Sequence, residues 1–112
     1  MSKSASGHFR GTKGDIVAAI LTLPPRPNKV FREKWENITD FRTKYRENYR
    51  NKENGLIISF SPGQKGKTGF RGKDHYHIHN PNADNKMNAY LDKDGTPVAR
   101  GSKASHIIPE ED

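Results

Sequence analysis

Two hydrophobic periods divide this 112-residue chain. In the first half, apolar residues recur at spacings of three and four. Beyond residue 55 they alternate. The segment 15–23, DIVAAILTL, predicts a short helix that Asp15 caps. It has to stop at Pro24, Pro25 and Pro27, because proline brings no amide donor and forces the preceding residue out of helical geometry. Asn28 can cap a second helix. Behind it, Phe31, Trp35, Ile38, Phe41 or Arg42, Tyr45 and Tyr49 form a stripe with Arg32, Lys34, Glu36, Lys44 and Arg46 mostly off it. That spacing predicts one long amphipathic helix over about 28–47.

From residue 55 the pattern is that of strands. Leu56–Phe60 alternates and ends at Ser61-Pro62-Gly63; His75–His79 is a second run, closed by Asn80-Pro81. Ala89–Leu91, a turn at Asp92–Gly95 and Thr96–Arg100 follow, then Ser102–Ile108 after Gly101. Helices first and strands afterwards predict an α+β fold, with N-terminal helices packed on one face of an antiparallel sheet of about four strands and the other face open. Residues 1–14 read as a flexible lead in which His8 is inert. Residues 15–112 read as one domain, helical over 15–50 and sheet over 55–109, without internal repeats.

Charge sharpens this outline. Twenty Lys and Arg oppose thirteen Asp and Glu, a net +7. The excess lies before the histidine-rich run: residues 1–50 hold eleven basic and five acidic side chains, 51–73 five and one, 74–112 four and seven. Such a field attracts polyanions. The absence of cysteine excludes disulfides, thiolate nucleophiles and Cys-ligated zinc. No apolar run approaches the ~20 residues of a membrane span, and the N-terminus lacks the apolar stretch of a signal peptide.

The sharpest chemical feature is Asp74-His75-Tyr76-His77-Ile78-His79. Strand alternation sends Tyr76 and Ile78 to the core and aligns His75, His77 and His79 on the opposite face. Three uses of that row compete. Two imidazoles within reach of one phosphate can serve as base and acid, each worth about 10²–10⁴-fold, without any cofactor. His-x-His can instead hold a metal with a third ligand from a neighbouring strand. The row can also be a polar strand without function.

The preceding loop, GQKGKTGFRGK, superficially matches a nucleotide-phosphate loop. It has two residues rather than four between its first Gly and the Gly-Lys-Thr, and no predicted helix follows, which excludes a nucleoside triphosphatase of that type. Lys67, Arg71 and Lys73 remain candidate phosphate contacts, with His79 a further substrate-binding candidate and Phe70 able to stack on a base; the segment can equally be a mobile, solvated hairpin loop. A third cluster lies in Ser102–Ile108. If Ile108 faces the core, His106 is structural while Lys103 and Ser105 face substrate; if Ile107 does, His106 faces the cleft. Gly101 permits a bulge that resets this parity.

The runs HYHIHNP (75–81), YLDKDGTPV (90–98) and SKASHI (102–107) resemble the nuclease tips of bacterial polymorphic toxins, of the contact-dependent inhibition, Rhs and wall-associated kinds. The element order over about 13–109 resembles the barnase, EndoU, RelE and colicin-type ribonucleases. The resemblance implies a metal-independent endoribonuclease, with tRNA among its candidate substrates. It further implies delivery from a secreted or cell-surface toxin into a target-cell cytoplasm, and a cognate immunity protein, acidic in character, over the active face. His75, His77 and His106 match positions where such domains place acid–base residues, with Lys103 and Ser105 as expected assistants; no glutamate matches the base of barnase-like enzymes. A non-catalytic RNA-binding or ribosome-associated module and a metal-dependent DNase are the alternatives.

Overall fold

The computed structural model describes residues 9–40, 42 and 46–109, except for the side chains of Phe70 and Arg71. His8, Phe41, Tyr45 and the acidic end, Glu110 to Asp112, lie outside the described residues, as does most of the expected lead. Helix α1 (Lys13–Leu21) begins earlier than the sequence predicts, because Thr12 rather than Asp15 is its N-cap. The Thr12 hydroxyl accepts from the Asp15 amide at 3.2 Å, and the Asp15 carboxylate accepts from the Thr12 amide at 2.8 Å. This reciprocal capping box satisfies two otherwise unpaired donors.

The long second helix does not form. Asn28 caps as expected, its carbonyl oxygen accepting from the Phe31 amide, but helix α2 covers only Lys29–Lys34. Trp35 is already extended and opens strand β1 (Trp35–Asn37), which pairs antiparallel with β2 (Glu47–Asn51). The physical reason lies in Asn37 to Asp40. The Asn37 side chain accepts from the Thr39 amide, and the Asp40 carboxylate from the Arg42 amide. These local bonds offer the backbone turns in place of a helical ladder. The aromatic stripe still meets in space: Phe31 stacks on Trp35 with centroids 5.4 Å apart and meets Tyr49 edge-on at 5.0 Å. A short helix and a hairpin thus satisfy the spacing that a single helix would have satisfied, and the boundary between helical and sheet parts falls near residue 35 rather than 50.

Strands β3 (Ile57–Ser61), β4 (His75–His79), β5 (Tyr90–Leu91) and β6 (Pro97–Val98) continue the sheet. Its order is sequential, β1-β2-β3-β4-β5-β6, and every pairing is antiparallel. The chain is therefore α+β, with six strands among the described residues rather than about four. Ser102–Ile108 forms no further strand; it makes a 3-10 turn (Lys103–Ser105) and one antiparallel bridge to β4. Ile16 and Ile20 of α1, Leu23 and Phe31 join Tyr49, Ile58, Tyr76, Ile78, Leu91 and Ile107 in one core. The Tyr76 hydroxyl donates to the Pro24 carbonyl at 2.8 Å, tying the inter-helix link to the sheet. No described helix is long and apolar enough to cross a membrane.

Candidate active site

The register of β4 decides which side chains meet. Ile58 pairs with Ile78 and Phe60 with Tyr76 on the helix-covered face, so Ser59 opposite His77 and Ser61 opposite His75 lie on the other. Tyr76 also exchanges two backbone hydrogen bonds with Ile107, both 2.8 Å. That bridge puts Ile107 in the core, where it is buried, and leaves Ile108 exposed. By alternation, His106 falls on the histidine face, which selects between the two registers the sequence allows. The three rings form a near-equilateral triangle, with centroids 5.0 Å (His75–His77), 4.9 Å (His75–His106) and 4.7 Å (His77–His106) apart.

This face is not open. His75 is 7% and His77 5% exposed. The C-terminal turn brings His106 over them, and Tyr90 of β5 stacks on His77 at 4.8 Å. What remains accessible is a pocket of about 300 Å³ lined by Arg46, Ser61, Pro62, Gln64, His75, His77 and His106. Arg46 supplies its cation, and its guanidinium donates to the Tyr90 hydroxyl at 3.4 Å.

Hydrogen bonds set the ring tautomers. His75 Nδ1 donates to the Lys73 carbonyl at 2.9 Å and His106 Nδ1 to the Ser102 carbonyl at 2.8 Å. A carbonyl can only accept, so each neutral ring carries its lone pair on Nε2. His77 differs: its Nδ1 is buried and has no hydrogen-bond partner among the described residues. Burial, then the positive charge that His75, His106 and Arg46 bring, pushes the His77 pKa down to about 3. Ligand nitrogens of His75, His77 and His106 all lie within 4.8 Å of one another, so this trio is also the group of described residues able to hold a metal ion.

Of the other expected site residues, His79, Lys103 and the loop lysines separate from the trio, whereas Ser105 touches it: its hydroxyl lies 3.5 Å from His106 Nδ1 and its backbone is hydrogen-bonded to His77. His79 Nε2 lies 2.8 Å from the Ser59 hydroxyl, whose own proton goes to Asn48 Oδ1 at 2.6 Å; His79 is therefore the donor in a chain beside the pocket rather than in its lining. Burial, then Arg46 and Arg100, lowers its pKa to about 4. Ser105 is fully buried and donates to the Ser102 carbonyl at 2.7 Å, a turn-holding role. Lys103 is exposed on the same 3-10 turn. The two do not share a strand face, and neither lines the pocket. Lys67 and Lys73 are exposed on the loop before β4; the side chain of Arg71 lies outside the described residues.

Arg46, Tyr90 and Gln64 were not singled out by sequence reasoning. Arg46 was missed because it sat inside the expected helix; the alternation Glu47-Asn48-Tyr49-Arg50, with Tyr49 inward, was the available signal that residues 46, 48 and 50 share the histidine face. No protein-family profile, no curated protein and no solved structure matches this chain.

Proposed function

We propose that the protein is an endoribonuclease that cleaves RNA by transesterification in the pocket of His75, His77 and His106. The observation that carries the reading is the triangle of imidazoles, two with their tautomers set by backbone carbonyls, at the wall of a pocket that also holds a guanidinium. One imidazole, of His75 or His106, takes the 2′-hydroxyl proton through Nε2. The 2′-oxygen bonds to phosphorus, the bond to the 5′-oxygen breaks, and the other ring, entering the step as the imidazolium with a proton on both nitrogens, gives its Nε2 proton to that oxygen. The products are a 2′,3′-cyclic phosphate and a 5′-hydroxyl. Arg46 neutralises the phosphoryl oxygens as charge builds on them. His77 forms the buried floor against which both rings pack.

The basic surface supports an extended anionic substrate. A second hollow, about 890 Å³, gathers Arg10, Arg32, Arg50 and Lys52 around Trp35 at the β1 edge. The backbone positions of Arg46 and Arg50 are separated by about 14 Å at ~3.4 Å per extended residue. That separation equals about four stacked nucleotides of one strand. A toxin setting, with delivery into a target cell and an acidic immunity protein over the pocket, belongs to the same proposal and rests on the sequence patches around the three histidines.

The test is incubation of metal-stripped protein with total RNA and with plasmid DNA in EDTA. RNA fragments ending in 2′,3′-cyclic phosphate are expected, with DNA intact because it lacks the attacking hydroxyl. Cleavage that needs an added cation, or that consumes DNA equally, overturns the mechanism. Binding of RNA without any cleavage would leave the RNA-binding module as the better reading.

A further inference from the structure

The histidine triangle has a second chemistry. His75 and His106 each use Nδ1 to donate to a backbone carbonyl, which leaves the lone pair of each neutral ring on Nε2. That outer hydrogen bond is the one metal-bound histidines make, because it fixes the ring and raises its basicity. His77 places a buried, unpartnered Nδ1 in the same cluster. A buried polar atom without a partner is destabilising, and a metal ion is a partner that would remove that cost. The pocket of about 300 Å³ beside the trio leaves room for a fourth ligand.

The donor set chooses the ion. Three imidazoles and no carboxylate disfavour magnesium and calcium, which want oxygen, and suit zinc, copper or nickel. Zinc–nitrogen bonds of ~2.0–2.1 Å put tetrahedral ligand atoms about 3.4 Å apart. The trio, within 4.8 Å, needs to close by up to about 1.4 Å, a movement that side-chain torsions can supply. Arg46 lines the same pocket and repels a dication, which weakens the hold of the three imidazoles on the ion.

We propose that His75, His77 and His106 form a binding site for a divalent transition-metal ion, zinc as its representative, and that occupancy withdraws the imidazoles from RNA and silences cleavage. Metal binding stands on the geometry alone; only the silencing rests on the ribonuclease reading. The two fail separately in one experiment on tag-free, EDTA-stripped protein. Zinc is titrated by calorimetry, and cobalt is followed by its visible absorption. One equivalent of zinc and tetrahedral cobalt bands are expected. His77→Gln and His106→Gln should each lose more affinity than the ~10–100-fold that removing a merely orienting partner costs. His79→Gln should keep it, and near-UV circular dichroism verifies that each variant is folded. Saturating zinc should reduce RNA cleavage at least tenfold, with recovery on adding EDTA. No zinc uptake, or uptake unchanged in folded His77→Gln and His106→Gln, overturns the site even if RNA is cleaved. Zinc uptake by a protein that never cleaves RNA in EDTA overturns the ribonuclease reading and the silencing while the site stands. Stimulation by zinc of the cleavage seen in EDTA overturns the silencing while the site stands.

Discussion

At their centres the two faces of the sheet are almost equally buried, and otherwise they are opposite. Toward the helices, Tyr49, Ile58, Phe60, Tyr76 and Ile78 are at most 3% exposed. Their few polar atoms are partnered: the Tyr76 hydroxyl donates to the Pro24 carbonyl and the Tyr49 hydroxyl to Glu47. On the other face, Ser59 is fully buried and His77 5% exposed, yet the side chains are polar, a pocket persists among them and His77 Nδ1 has no partner. Burial therefore does not tell the faces apart; completeness of pairing does. A core resolves its polar groups, whereas a site keeps some in reserve for a ligand or a reaction. Variants on the two faces should consequently separate activity from stability.

The largest expected effect is on the histidine side. His75→Ala or His106→Ala should lower the rate of RNA cleavage by about 10²–10⁴-fold while the native far- and near-UV circular dichroism persists. Single-turnover rates and melting curves on the same samples give the comparison. Cleavage surviving removal of both rings would place the chemistry elsewhere.

On the helix side, Tyr76→Ala should reverse that signature. It removes a fully buried ring packed on Phe60 at 5.0 Å and Phe31 at 6.4 Å, along with the bond to Pro24. The cost should be about 3–5 kcal/mol by denaturant unfolding. Tyr76→Phe keeps the ring and loses only the hydroxyl, so about 1 kcal/mol is expected. Equal losses from the two variants would mean that the ring's packing contributes little.

Acid should distinguish the faces next. His77 and His79 are held neutral by burial, with pKa values lowered to about 3 and about 4, while an unfolded histidine titrates near 6.5. The groups facing them, His75, His106, Arg46 and Arg100, oppose a further positive charge. Between the unfolded and folded values the unfolded chain binds more protons. The stability contributed by these rings is thus complete above pH ~6.5 and is lost as the pH falls toward 4 and then 3. Urea unfolding of EDTA-treated protein should show this slope, and His79→Gln should flatten it. A wild-type stability that is level from pH 7 to 4 contradicts the account.

The sequence carried one face far better than the edge of the sheet. In β4 the alternation of His75, Tyr76, His77, Ile78 and His79 is strict, and period two admits a single assignment of faces. His106 was readable only as two alternatives, since the bridge from Ile107 to Tyr76 is a contact across thirty residues that no local pattern encodes. The β1–β2 hairpin was misread because Phe31, Trp35 and Tyr49 have helical spacing and do pack together. What decides against the helix is hydrogen bonding by Asn37 and Asp40, which local spacing of apolar residues does not report. Arg46 was lost to the same error. The depth of the pocket is equally illegible, because His106 from a later segment lines it and Tyr90 covers His77.

The smallest effect concerns the loop before β4, and it extends the comparison from the faces to their surroundings. The loop is pinned: the Gly63 amide donates to the Asp74 carboxylate at 2.7 Å, the Lys67 amide to the Gln64 carbonyl at 3.1 Å, and a Cβ on Gly72 would lie 2.3 Å from the Lys67 carbonyl oxygen. Its base, Pro62 and Gln64, is also pocket wall. Lys67 and Lys73 are exposed, so replacing them leaves packing alone and changes only the field at the pocket rim. If each contacts one phosphate, Lys67→Ala and Lys73→Ala should each reduce the slope of log K against log salt by about 0.7 for single-stranded RNA, irrespective of sequence. Lys13→Ala and Lys29→Ala remove equally exposed charges from the helices, and they should leave that slope nearly unchanged. Net charge falls by the same amount in every one of these variants, so a diffuse attraction would lower all four slopes alike. Separation of the two pairs would assign the bound strand to the histidine side of the sheet; identical slopes would show that the loop lysines merely add to the general field.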